Sequence, residues 1–98
     1  MKGPESKIKD AAKKILTTSG AYFFMPAMGL YGRSGVPDIV ACHKGNFLGI
    51  ECKAGKGKTT ALQDLELAAI TIAGGVALII NENNLHELKV VLDALESL

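Results

Sequence analysis

Residues 35–53 read GVPDIVACHKGNFLGIECK, which contains two strand-like runs on either side of Lys44 and Gly45. The first run covers residues 37–43, and the second covers residues 47–53. Glycine readily adopts the positive φ that a tight turn requires, so Lys44-Gly45 is a suitable connection between two antiparallel strands. The segment therefore predicts one β-hairpin.

The register of this hairpin decides which acidic side chains meet. Successive side chains point to opposite faces of a strand, so Glu51 and Lys53 project to the same side. If the turn has an even number of residues, with His43 paired to Asn46, Asp38 lies directly opposite Glu51. Facing Cβ atoms are then about 4.5–5.5 Å apart, and two carboxylates at that distance repel unless a positive charge lies between them. An odd-numbered loop without a bulge would instead send Asp38 to the other face.

The acidic pair has two explanations on spacing alone. A divalent metal ion between Asp38 and Glu51, with Lys53 beside it, would relieve the repulsion. An ordinary cross-strand salt-bridge cluster, in which Lys53 compensates both acids, would relieve it as well.

The order of these residues resembles a known nuclease signature. Pro37-Asp38 followed by Glu51-Cys52-Lys53 resembles the PD-(D/E)XK pattern, and Gly35-Val36-Pro37-Asp38 with a later Gln63 is similar to its VRR-NUC branch, the virus-type replication-repair nucleases. Glu5 on a first helix is similar to the acidic residue that opens the family's pattern. The resemblance covers nearly the whole chain and implies a single, minimal and stand-alone nuclease domain over residues 1–98.

The resemblance implies a metal-dependent site for phosphodiester hydrolysis. Asp38 and Glu51 would be direct ligands of Mg²⁺ or Mn²⁺, which prefer hard oxygen ligands and keep several waters. The main-chain carbonyl of Cys52 would be a third ligand. Lys53 would orient the attacking water or help to deprotonate it, and would offset charge in the transition state.

Two further residues enter the expected site with a structural alternative beside each role. Glu5 would reach the metal through water, but an acid at a helix start is stabilised by the helix dipole whatever the function. Gln63 would position the attacking water or Lys53, but it is also an ordinary residue for the first turn of an exposed helix.

The remaining segments alternate between helical and strand patterns. The predicted helices cover residues 5–19, 60–73 and 85–98, and the predicted strands outside the hairpin cover residues 21–28 and 76–80. The order is αβββαβα, an α/β fold with a mixed sheet flanked by helices, which agrees with the core of the family.

Apolar residues mark particular faces of these segments. The run VALII at residues 76–80 is expected of a strand covered on both faces. The last helix carries a core stripe. On the helix over residues 60–73, one broad stripe consists of Leu62, Leu65, Ala69 and Ile72.

The loop before the hairpin, GLYGRSG at residues 29–35, contains candidate DNA contacts. Tyr31, Arg33 and Ser34 have side chains that hydrogen-bond to phosphate or stack on a base. Arg33 is the first choice because its planar guanidinium matches a phosphate group. Glycine-rich loops are also often simple turns.

The loop after the hairpin, AGKGKTT at residues 54–60, is basic. We expect Lys56 and Lys58 to touch the DNA backbone, and Thr59 or Thr60 to cap the next helix. A phosphate-binding P-loop ending at Lys58 would need glycine where Cys52 stands, so no nucleotide cofactor is expected.

Composition narrows the class of protein. Ninety-eight residues with 48% hydrophobic content form one domain with a modest core, for which self-association would help. No apolar run reaches the about 18 residues of a membrane helix, and the first residues are too polar for a secretory signal. We therefore expect no membrane partner and a location in the cytoplasm, or in the host-cell cytoplasm if the protein is viral.

Cysteine and charge give two further limits. The two cysteines and two histidines lack zinc-ligand spacing, so we expect reduced thiols and no structural zinc. Up to Lys58 the chain carries ten Lys and Arg residues against four acids, whereas from Thr59 onward one Lys stands against six acids. A basic first half that contains the expected metal site suits a polyanionic partner. On the first helix, the polar side includes Lys7, Lys9, Lys13 and Lys14, which are expected to face solvent or DNA.

Together these features predict a metal-dependent endonuclease that acts on DNA. The stand-alone proteins that the chain resembles act as homodimers on four-way junctions, so the resemblance implies a structure-selective enzyme that resolves Holliday junctions as a homodimer. Cleavage of flaps or other branched DNA is the alternative. A non-catalytic nucleic-acid-binding protein on the same scaffold is a second hypothesis, and a nucleotide-phosphate enzyme is a third. The last helix and residues 76–80 are the candidate dimer surfaces.

Overall fold

The computed structural model describes residues 3–27 and 32–98, and its elements follow the predicted αβββαβα order. The helices are α1 (Pro4–Ser19), α2 (Ala61–Ile72) and α3 (His86–Glu96). The strands are β1 (Tyr22–Phe24), β2 (Ile39–His43), β3 (Asn46–Cys52) and β4 (Val76–Ile80). Within the described ranges, no helix is both long and apolar enough to cross a membrane.

The four strands form one mixed sheet in the order β1-β2-β3-β4. The β1/β2 and β2/β3 pairs are antiparallel, and β3/β4 is parallel. A parallel pair needs a crossover connection, which α2 provides here. This arrangement confirms the predicted α/β class with a mixed sheet.

The hairpin has the predicted two-residue turn. Lys44 and Gly45 both have positive φ, 51° and 81°, as a type I′ turn requires. His43 pairs with Asn46, and the ladder continues in that register to the Ile39–Ile50 pair. The Asn46 side chain also donates hydrogen bonds to the carbonyls of His43 and Lys44, at 3.3 and 3.0 Å. The even register expected from the sequence is therefore the observed one.

The main core lies between one face of the sheet and the helices α1 and α3. Because side chains alternate along a strand, this face is formed by every second residue of β2, β3 and β4. Its buried apolar members are Ile39, Ala41, Leu48, Ile50, Cys52 and Ile80, and the helices contribute Ile8, Ala12, Leu16, Leu88, Leu92 and Leu95.

Two apolar segments are less covered than their sequence suggests. The prediction that residues 76–80 are covered on both faces is wrong at Ile79, which is 44% exposed on β4, an edge strand of the sheet. Helix α2 packs on the sheet with Ile70 against Gly49 of β3, and it buries Leu67. Its Leu65 and Ile72 are 67% and 86% exposed. Helices usually turn an apolar stripe to the core. On α2 the stripe faces solvent.

The loop before β2 packs closely against α2 at Gly35. Gly35 has φ +86°, and a Cβ added there would lie 2.6 Å from the main-chain carbon and oxygen of Leu62. Gly45 has a similar φ of +81°, but an added Cβ would meet no described atom within 4 Å. These two glycines separate the effect of backbone conformation from that of close contact.

We predict that Gly35→Ala destabilises the protein more than Gly45→Ala. The second substitution incurs the cost of a left-handed backbone, about 1–2 kcal/mol. The first adds a clash with helix backbone and should cost roughly 3 kcal/mol or more in total. Urea unfolding of both variants measures the difference, and equal losses of stability would contradict the contact between this loop and α2.

Candidate metal and nucleic-acid site

The hairpin brings two carboxylates to one end of the sheet, where β2 begins and β3 ends. Asp38 comes immediately before the Ile39–Ile50 pair in the register, and Glu51 comes immediately after it, so the two lie opposite one another. The Oδ2 atom of Asp38 accepts a hydrogen bond from the Cys52 N–H at 2.8 Å. This bond continues the hydrogen bonding between the two strands and fixes the orientation of the carboxylate.

The Glu51 carboxyl group is enclosed by the protein. Its residue is 1% exposed, and its buried Oε2 finds no hydrogen-bond partner among residues 3–27 and 32–98. The pKa of Glu51 is raised to about 8, mainly by burial. The hydrogen bond to Asp38 and the negative charge of Asp38 are the next largest causes of this rise. The charge of Lys53 opposes this rise, whereas that of Glu5 adds to it. A nearby cation would stabilise the charged form of this buried acid and give its unpaired oxygen a partner.

Helix α1 contributes two charged residues that lie one helical turn apart. The Nζ of Lys9 lies 3.6 Å from Asp38 Oδ1 and 3.8 Å from Glu5 Oε2. The sequence places Lys9 on the polar side of α1, without a link to the hairpin. The available signal is the i, i+4 spacing from Glu5, which brings two side chains together on a helix.

Cys52 contributes to the site through its backbone, because its side chain belongs to the core. Burial, followed by the charges of Asp38 and Glu51, raises the pKa of its thiol to about 12. A thiol with such a pKa stays protonated and is a poor metal ligand. The next residue, Lys53, donates its N–H to the carbonyl of Ile80 at 2.9 Å, which ties the end of β3 to β4.

The donor set suits a hydrated hard cation better than a cage of side chains. Within the described part of the chain, no three or more His, Cys, Asp or Glu side chains form a metal-binding group. Mg²⁺ typically binds through one or two carboxylates and keeps several waters, and phosphate oxygens take other positions. Asp38 and the buried oxygen of Glu51 fit that requirement.

Gln63 lies in the first turn of α2 and forms a capping box with Thr60. Its Oε1 accepts the Thr60 N–H at 2.9 Å, and its own N–H donates to Thr60 Oγ1 at 3.2 Å. These bonds satisfy donors at the start of the helix. The structure thus gives Gln63 a capping role and confirms Thr60 as the helix cap, while the role of Gln63 toward the attacking water or Lys53 stays a prediction.

The candidate DNA contacts before the hairpin lie beside α2. Arg33 binds the carboxylate of Glu66 through Nε and Nη2, while its side chain remains 79% exposed. Ser34 is exposed and lines the same surface depression as Arg33 and Leu65. Tyr31 lies outside the described residues.

The candidate contacts after the hairpin are presented on an anchored loop. Lys56 and Lys58 are exposed. The N–H of Gly55 donates to both carboxylate oxygens of Glu82, at 2.8 and 3.1 Å. The loop therefore starts from a defined position next to Lys53.

A comparison with solved structures identifies the architecture. A structure described as a VRR-NUC domain superposes with a TM-score of 0.69 over 98% of this chain and 97% of that chain, at 18% sequence identity. The chain has the VRR-NUC fold. No family model matches the sequence, and no curated protein matches it. The resemblance read from the hairpin motif is confirmed for the fold, and the roles of individual residues rest on the site itself.

We predict that Glu51→Gln stabilises the metal-free protein at alkaline pH. The folded pKa of about 8 lies above the ordinary value of 4.5, so the folded state holds the proton more tightly than the unfolded state does. The contribution of Glu51 to the free energy of unfolding is then fully present below about pH 4.5 and is lost as the pH rises through about 8. Glutamine has the shape of the protonated acid and removes this loss, which the change in pKa from 4.5 to about 8 sets on the order of 5 kcal/mol at pH 8.5.

Thermal unfolding in a chelator at several pH values measures this difference, which should narrow towards pH 4.5. Glu87→Gln on the exposed first turn of α3 is the matched control and should leave the pH slope unchanged. Parallel pH slopes for wild type and Glu51→Gln would contradict a raised pKa at Glu51.

Proposed function

We propose that this protein is a metal-dependent, structure-selective endonuclease that hydrolyses DNA phosphodiester bonds. The observation that carries the proposal is the Asp38–Glu51 pair, held at one end of the sheet by the hairpin register with Lys53 as the next residue but one after Glu51. The VRR-NUC fold supports the proposal, because the structure with which this chain superposes is named as a nuclease domain.

Each residue of the site then has a defined task. Asp38 and Glu51 hold Mg²⁺ or Mn²⁺ together with the main-chain carbonyl of Cys52, and Glu5 acts through water. The bound ion supplies positive charge to the phosphate oxygens and lowers the pKa of water. Lys53 orients the attacking water and offsets the charge that develops on the phosphate.

The surroundings of this site serve to hold DNA. Lys56 and Lys58 contact the phosphate backbone from the anchored loop, which gives sequence-independent and salt-dependent binding. Gln63 acts on the same loop, because its capping box with Thr60 determines where the loop enters α2. Arg33 and Ser34 contact DNA further out, with the Arg33 guanidinium oriented by Glu66 and still open to solvent. Tyr31 is proposed as a contact of the same loop.

The homodimer required for a four-way junction is proposed to form through α2. Leu62, Leu65, Ala69 and Ile72 follow one another at intervals of three, four and three residues on its exposed side. This spacing is that of a coiled-coil seam, which packs against another helix. A two-fold axis would place α2 of one copy against α2 of another. The α3 stripe, a candidate from the sequence, is used by the core instead.

Two catalytic sites related by such an axis suit a branched duplex. One site cuts one strand, so a dimer delivers two cuts to a four-way junction, and resolution of Holliday junctions is the favoured activity. Flap cleavage is the activity expected of a single site that acts alone. Four-way, flap and linear DNA compared side by side distinguish them.

We predict that Asp38→Asn and Lys53→Met each reduce cleavage of branched DNA in Mn²⁺ by roughly 100-fold or more. Asparagine retains an oxygen for the Cys52 N–H, so the hairpin should survive the loss of charge. Asp93→Asn, which changes an exposed acid paired with Lys89 on α3, is the matched control. The measurement is initial cleavage rate, with thermal unfolding to confirm folding.

Full cleavage by both variants would remove these residues from the site. Wild-type protein that binds DNA in a salt-dependent manner without cutting it in Mg²⁺ or Mn²⁺ would identify a non-catalytic nucleic-acid-binding protein.

We predict that Leu65→Glu converts the dimer to a monomer, because a charge on each copy would be buried at the α2 seam. Light scattering with size-exclusion chromatography measures the mass in solution. Val90→Glu is the matched control, since Val90 is similarly exposed at 62% but lies on α3. Loss of the dimer in Val90→Glu alone would place the interface on α3, and a monomeric wild type would remove the dimer from the proposal.

A further inference from the structure

Lys9 differs from neighbouring lysines of α1 in what it contacts. Its side chain is 26% exposed and lies between Asp38 and Glu5, at 3.6 and 3.8 Å. One turn later, Lys13 pairs with Asp10 at 3.4 Å on the polar side of the same helix. Lys9 therefore brings a positive charge into the site that the hairpin forms.

The two oxygens of Asp38 each have a partner, whereas Glu51 is less well compensated. Asp38 Oδ2 accepts the Cys52 N–H, and Oδ1 lies beside Lys9. The Oε2 of Glu51 has no hydrogen-bond partner in the described part of the chain. Lys9 thus occupies the side of Asp38 from which a cation would reach an oxygen of this residue.

Lys9 and a divalent ion are consequently in competition. Both are positive, both would use Oδ1 of Asp38, and like charges at such distances repel strongly in a partly buried site. Binding of the ion requires Lys9 to move away from Asp38. An ammonium group released in this way would remain on α1 close to Asp38, and lysine is a good point-charge partner for phosphate.

We propose that Lys9 is a further residue of the site: it competes with the divalent ion for Asp38 in the free protein, and it binds the DNA phosphate once the ion is in place. This inference rests on the proposed metal-dependent function and adds a residue outside the hairpin motif. Its consequence is a tradeoff. Removal of the Lys9 charge strengthens metal binding and weakens both the binding and the cleavage of DNA.

The test compares Mn²⁺ binding and DNA cleavage for the full chain. Isothermal titration calorimetry with Mn²⁺ alone should show about tenfold tighter binding to Lys9→Met than to wild type. Cleavage of branched DNA at saturating Mn²⁺ should fall by roughly tenfold, with a raised KM for DNA. Lys9→Arg keeps the charge and should stay close to wild type in both measurements.

Lys13→Met is the matched control, because it removes a lysine of α1 that pairs outside the site, and it should change neither Mn²⁺ affinity nor cleavage. A purely structural role of Lys9 would lower the unfolding temperature without tightening Mn²⁺ binding. Lys9→Gln is a second variant if the methionine side chain disturbs α1.

The outcomes separate the two proposals. Wild-type protein that binds Mn²⁺, with Lys9→Met and Lys9→Gln binding it equally or more weakly, overturns the role of Lys9 and leaves the proposed function in place. Wild-type protein that binds no Mn²⁺ removes the metal site, and the role of Lys9 with it.

Discussion

The contact on which the site depends is the hydrogen bond from the Cys52 N–H to the Asp38 carboxylate. It exists because the turn at Lys44-Gly45 has two residues and pairs the strands in an even register. A slip of one residue would point Asp38 to the other face of the sheet and leave Glu51 without its acidic neighbour. The turn at one end of the hairpin therefore determines the electrostatics at the other end.

Those electrostatics are balanced around a buried acid. Glu51 is enclosed, and its pKa is raised to about 8 because burial and Asp38 both disfavour its charged form. Lys53 and Lys9 bring positive charge from the strand end and from α1, and they offset Asp38 and Glu5 while Glu51 holds its proton. Loss of the Glu51 proton would leave an excess of negative charge at the site, which is the property that suits the proposed metal-dependent chemistry.

The small size of the chain has a visible consequence on its other side. The main core uses α1, α3 and one face of the sheet, while α2 buries Leu67 outside that core and leaves its apolar stripe in water. The Gly35 loop and the Arg33–Glu66 pair hold the preceding segment against this helix. An exposed apolar helix beside a short core is the feature that self-association would bury.

The sequence by itself determined the order of elements, the hairpin turn at Lys44-Gly45 and a helix cap at Thr59 or Thr60, and it paired Asp38 with Glu51 on condition of an even register. These depend on local rules: glycine at a turn, alternation along a strand, and a hydroxyl before a helix. The tertiary structure decided that β4 is an edge strand, that the α2 stripe faces outward, that Glu66 binds Arg33 and that Lys9 meets Asp38. Each of these depends on how distant segments pack. The hydrophobic periodicity of a sequence predicts the faces of a helix, but it does not predict which segment each face contacts, because packing depends on the whole chain.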